Sequence, residues 1–392
     1  MSAVLTVLGK ELRESLRELR TLGAALVFGP VFVPILFAGM LGFALRHSAA
    51  QSNAPVELAV SHVERAPNLV RDLVEYGVSV VPIIYDDAQA RAAVASGRFH
   101  QILLIPREYG EAWVTGTPAP LRLYMDSSEG EAQADVSRVR ALIAQYDGVL
   151  ARLRLLARGV NPLVISPVAL QNVDVASPAS RSARVLGMLT FLIILSMLMG
   201  GFYLAIDATA GERERGSLEP LLTVPVPREQ LIYGKILAVC VLMLVSLALT
   251  VASLTVALRL VGLERFGMSV NLGPLSALAI VACCAPLAPL GASLMTIVAA
   301  YTRSYREAQT YLGVAILVPT LPLVFASVVD LQPTNWTMAI PSLGQHFLVT
   351  RLLKAQPIPP LHLVLSVTTT LALGILLAAL AGRLYRRESL LG

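Results

Sequence analysis

The chain has 392 residues, 55% hydrophobic and 15% charged, where a soluble domain carries about 25% charged residues, so its balance speaks against a soluble enzyme. Its 31 Lys/Arg against 26 Asp/Glu leave a net charge of +5, and the surplus lies beside apolar runs, where it orients membrane segments rather than gripping nucleic acid. The cysteines, Cys240, Cys283 and Cys284, all lie in apolar stretches, which excludes a disulfide framework and a CxxC metal pair.

At the N-terminus Leu5, Leu8, Leu12, Leu16 and Leu19 recur at helical spacing with Lys10, Arg13, Glu14, Arg17 and Glu18 between them. That stripe predicts an amphipathic cytoplasmic helix over 1–20, lying in the inner membrane interface or packed on a partner. Uncharged runs follow at 21–45, 185–206, 236–258, 266–302, 308–329, 331–350 and 355–382. A helix crosses a bilayer with about 20 apolar residues. The first run, 25 residues long, exceeds a signal-peptide core and is read as an uncleaved span. The run at 331–350 holds Gln332, Pro333, Asn335, Pro341, Gln345 and His346 and is read as a re-entrant or interfacial segment. The fold class expected is a polytopic α-helical membrane protein of six spans with a mixed α/β extracytoplasmic domain between the first and second.

Short-loop charge sets the orientation. With both termini inside, Lys10, Arg13, Arg17, Arg20, Arg213, Arg215, Arg228, Lys235, Arg303, Arg306 and the tail arginines Arg383, Arg386 and Arg387 are cytoplasmic, against Arg259, Arg265, Arg351 and Lys354 outside. The organisation is then a helix at 1–20, a span at 21–45, the outer domain at 46–183, five spans within 184–382 and a tail at 383–392. A cytoplasmic loop occupies 207–235.

The insert has 14 carboxylates and 12 arginines between 47 and 183. Strand-like pieces at 56–60, 78–84, 101–105 and 121–125 alternate with helical ones near 68–76, 87–96 and 130–158. Gly77, Gly97 and 115–120 punctuate them, and 163–175 returns toward the membrane. Chemistry is sparse there. His62 and His100 lack neighbours at ligand spacing, Asp86/Asp87 and Glu129/Glu131 suit helix N-termini, and no GxSxG elbow occurs.

The second span opens into Asp207, then Gly211-Glu212-Arg213-Glu214-Arg215-Gly216-Ser217-Leu218-Glu219, and a Pro-rich turn leads through Arg228 to Gly234-Lys235 and the third span. On charge alone this run is a solvated loop laced by weak i,i+3 and i,i+4 pairs. Its residues from Gly211 to Lys235 nonetheless resemble the GERExG[ST]LExLL…GK segment of type-2 ABC exporter permeases, in the NatB-like branch that joins one N-terminal span, a large external domain and five further spans.

That resemblance implies a permease without its own ATPase that dimerises in the bacterial plasma membrane and pairs with two copies of a separate ABC ATPase. It assigns Glu212, Arg213, Glu214, Arg215, Gly216 and Glu219 to the ATPase-coupling region. ATP and Mg²⁺ would be bound by the partner, with no catalytic residue, cofactor or metal on this chain. The sequence agrees on one point: Gly9-Lys10 and Gly234-Lys235 lack both the earlier glycine and the following Ser/Thr of a phosphate-binding loop. Relatives of this layout export Na⁺, drugs, lipids or peptides. The spans are almost free of ionisable residues, which argues against a proton relay, and Pro30, Pro34, Pro286, Pro289, Pro319 and Pro322 mark bends. The competing reading is a membrane-anchored sensor or assembly protein that acts through the outer domain. An intramembrane enzyme lacks any supporting signature.

Overall fold

A computed structural model of the chain describes residues 3–17, 23–53, 56–125, 130–165, 183–217, 226–266, 268–329 and 331–386. The leucine stripe folds as α1 (Ala3–Arg17). The first apolar run begins as a π-helix, Ala24–Phe32, that contains Pro30, and continues as α2 (Val33–Asn53). Proline lacks the N–H that an α-helical turn would use, so the wider turn falls where the ladder is already broken.

Residues 47–174 form one unit, and 1–46 with 175–392 form the other. The first is built from β1 (Val56–Ser61), α3 (Pro67–Glu75), β2 (Val78–Ile83), α4 (Asp87–Ala95), β3 (Gln101–Leu104), α5 (Glu108–Thr115), β4 (Arg122–Met125) and α6 (Gly130–Ala157). Its four-stranded sheet runs β2-β1-β3-β4, with β1 parallel to β2 and β3 and β4 antiparallel to β3. Leu58, Val60 and Leu103 face α3 and α6 through Leu69, Leu73 and Val139, while Ala59, Ile102 and Leu104 face α4 through Ala90 and Val94. Two-sided burial explains why these strands read as apolar runs rather than alternating ones. Asp86 caps α4 in a capping box with Gln89, and Asp87 pairs with Arg122 at 2.5 Å and accepts from the Tyr124 hydroxyl. Helix α5 was not anticipated from the pattern. Glu129 lies outside the described residues, as does 166–175 of the return segment.

The helical unit continues with α7 (Ala183–Ile206), a π-turn at Asp207–Gly211 and a last turn at Glu212–Glu214. After it come α8 (Arg228–Val261), α9 (Pro274–Cys284), α10 (Leu287–Ala300), α11 (Tyr305–Ala315), α12 (Leu317–Val329), α13 (Asn335–Ala339), α14 (Leu343–Leu353) and α15 (Pro360–Arg386). Among the described residues, five helical stretches are long and apolar enough to cross a membrane, and α9 with α10, bent by 41°, makes a sixth if the pair is one span. The bend sits at Pro286, between the two helices. The 331–350 run folds as α13 and α14. With 11 residues, α14 covers about 16 Å at 1.5 Å per residue, which is too short to cross.

Without a hydrophobic drive between helices in lipid, close packing needs small residues. Helices α7 and α8 meet at Gly201, where an added Cβ would stand 2.6 Å from Met243 Cγ. Nearby, Ser196 bonds Thr250 at 2.7 Å and Ser246 donates to the Ser196 carbonyl at 2.7 Å.

Candidate functional site

The charged run after α7 folds back on the ends of the helices around it. The π-turn carries Asp207, which accepts Arg215 Nη2 at 2.8 Å, and the final turn closes at Gly216 with φ 68°, where only glycine is unstrained. The Ser217 N–H then reaches the Glu212 carbonyl at 3.0 Å and satisfies a helix-end acceptor.

Each side chain of the turn has a different neighbour. Glu212, 4% exposed, accepts Lys10 Nζ of α1 at 2.6 Å and the ammonium of Lys235, which enters from the first turns of α8. Lys235, 1% exposed, also donates to the Ala208 carbonyl at 2.5 Å. Arg213 donates to the Thr302 carbonyl, just past α10, at 2.8 Å. Glu214 accepts the Tyr305 N–H, the first of α11, at 2.7 Å, and so occupies a helix N-terminus that favours an anion. Thus α1, α7, α8, α10 and α11 are tied together within a few residues of one turn.

Helix α1 reaches this point because α8 carries a glycine there. A Cβ on Gly234 would lie 2.6 Å from Val7 Cβ and 3.0 Å from the Val4 carbonyl, so the two helices touch backbone to side chain. That contact buries Val7 and Glu11. Burial opposes charge on Lys10, but its hydrogen bond to Glu212 and the field of Glu11 win and hold the ammonium above the ordinary lysine range. Burial raises the Glu11 carboxyl, against the pull of Lys235. The carboxylates of Glu11, Glu14 and Glu212 lie close enough together to share a cation. The Lys10 ammonium already bonds all three, at 3.1, 3.1 and 2.6 Å.

Of the six residues assigned from the sequence, five are described and converge here. Glu212 is buried, Arg213 half-buried, and Glu214, Arg215 and Gly216 exposed. Glu219 lies outside the described residues, with the rest of 218–225. Sequence reasoning did not single out Lys10, Glu11 or Lys235 as partners of Glu212. The available signal was the placement of Lys235, one of three lysines in the chain, at the mouth of an apolar run. A lone ammonium there needs a buried counter-charge.

Comparison with known proteins follows the same line. The model of a family described as "ABC-2 family transporter protein" matches residues 25–383. The chain is 28% identical over 386 residues, 95% of each protein, to a Bacillus subtilis (strain 168) protein named "ABC transporter permease protein NatB".

Proposed function

This chain belongs to the ABC-2 transporter family, a multi-pass membrane subunit of an ABC transporter, and on that premise we propose that it is the permease of an exporter whose ATP is hydrolysed by a separate subunit. Two copies pair in the bacterial plasma membrane with two ATPases, both termini lie in the cytoplasm, and 47–174 lies outside. ATP and Mg²⁺ are held by the ATPase.

The observation that carries this reading is the turn at 212–216. A partner can shift a membrane helix bundle only through contacts that differ between its states. Here the exposed carboxylate of Glu214 and guanidinium of Arg215 stand two and three residues from Glu212, whose buried carboxylate joins α1 and α8, while Arg213 and Glu214 hold the end of α10 and the start of α11. Pushing on the turn moves several helices together. The anchored-sensor reading predicts instead that the loop from Gly211 to Lys235 is dispensable.

Purification from native membranes in mild detergent with mass spectrometry of bound proteins tests the assignment. Recovery of an ATPase bearing a phosphate-binding loop, one-to-one, is the expected result; recovery with envelope proteins and no ATPase after crosslinking would overturn it.

A further inference from the structure

The 47–174 unit contains a groove of 640 Å³ between α6, α5 and the β3/β4 end of the sheet, within the range of about 300–1,000 Å³ typical of small-molecule sites. Its long wall is one stripe of α6. Positions 140, 143, 144, 147, 150, 151, 154 and 155 recur every three or four residues and line the groove, with Arg158 just past the helix end. Ile143 and Tyr146, in the first half of α6, pack on the domain core. Farther along, Leu150, Ala151 and Leu155 belong to no core cluster among the described residues and face the groove instead. Opposite them stand Tyr109 and Trp113 of α5 and Leu123 of β4.

The rim is cationic. Arg140, Arg154 and Arg158 line it with Asp147 as the one carboxylate. Two of the arginines have an uncharged partner: Arg154 lies 4.5 Å over the Trp113 ring, and Arg140 Nη2 is 3.4 Å from Met125 Sδ. Among the described residues none of the three pairs with a carboxylate. A guanidinium with no carboxylate paired to it among the described residues is suited to bidentate contact with a carboxylate or phosphate. Beside it lies an aromatic and aliphatic trough.

From this juxtaposition we infer that the groove binds an anionic amphiphile: an apolar chain or ring system seated between α5 and α6, and a carboxylate or phosphate head taken by Arg154 and Arg158. The site belongs to the α/β unit alone and does not depend on the coupling of the helical unit to an ATPase.

The chain holds two tryptophans, Trp113 and Trp336, so Trp336→Phe leaves the groove indole as the sole energy-transfer donor when excitation is set beyond the tyrosine absorption band. The full-length Trp336→Phe chain in zwitterionic liposomes, titrated with dansyl-undecanoic acid, should show saturable transfer from Trp113. Decanoate and decyl phosphate should compete, and methyl decanoate and inorganic phosphate should not. Adding Arg154→Gln and Arg158→Gln should weaken binding by roughly tenfold or more. Ala144→Phe, which fills the groove and leaves both arginines in place, should do the same. Absence of saturable transfer overturns the proposal. So does equal competition by the methyl ester or by inorganic phosphate, and so does binding indifferent to both sets of substitutions.

Discussion

Lys235 carries a positive charge into the packing between α7 and α8, where a carboxylate and a carbonyl receive it. Taking an ion out of water costs several kcal/mol, and the cost is offset only while its partner is present. Glu212→Gln should therefore destabilise the detergent-solubilised protein by about 3–5 kcal/mol, read as a lowered thermal midpoint. Glu212→Gln with Lys235→Met removes both charges and should recover most of the loss, and a double variant no better than the single one would show that the pair is not the source. Glu11 gives a pH signature of opposite character. Its folded-state pKa is raised by burial, so the folded protein holds the proton more tightly than the unfolded chain does. Stability from this group is fully present below the ordinary carboxylate value of about 4.3 and declines as pH rises through the folded-state value. Glu11→Gln should flatten that decline, and an unchanged slope in thermal unfolding across the window would count against burial of the carboxyl.

At the scale of elements, the junction of α1 with α8 is made by one missing side chain. Gly234→Leu should force α1 off α8, since even a Cβ there overlaps Val7, and should expose Lys10 and Arg13 to limited trypsin digestion. Gly9→Leu is the matched control, because nothing lies within 4 Å of a Cβ at that position; equal digestion of both variants would refute the docking. The elements themselves were legible to different degrees. The uncharged runs and the strand–helix alternation of 56–125 stand out because burial on both faces leaves long apolar stretches, and β1, β2, β3, α3 and α4 fall within a residue or two of the pattern. Helix α5 escaped because its eight residues include Gly110 and present only Tyr109 and Ala112 to the core, too few for a period to show. The π-turn at Asp207–Gly211 has no sequence period of its own. The candidate site was half legible: alternating Glu and Arg read as a solvated loop, and the burial of Glu212 depends on residues 202 positions before and 23 positions after it, a pairing no local window can hold.

For the whole molecule, family membership fixes a membrane subunit of an ABC transporter, and the turn at 212–216 supplies the proposed point of contact with the ATPase. Its buried half binds this chain to itself, and its exposed side chains, Glu214 on the Tyr305 N–H and Arg215 on Asp207, are the ones the ATPase is proposed to meet. Reversing the exposed charges tests that contact, and the thermal midpoint reports the intrachain bonds to Tyr305 and Asp207 that the reversal also removes. The decisive measurement is the amount of ATPase recovered per permease from native membranes for the wild-type chain and for Glu214→Lys with Arg215→Glu, each checked for an unchanged thermal midpoint. The account predicts near-equal recovery with the wild type and loss of most of the ATPase from the reversed variant. Full recovery of the ATPase with the reversed variant would contradict it.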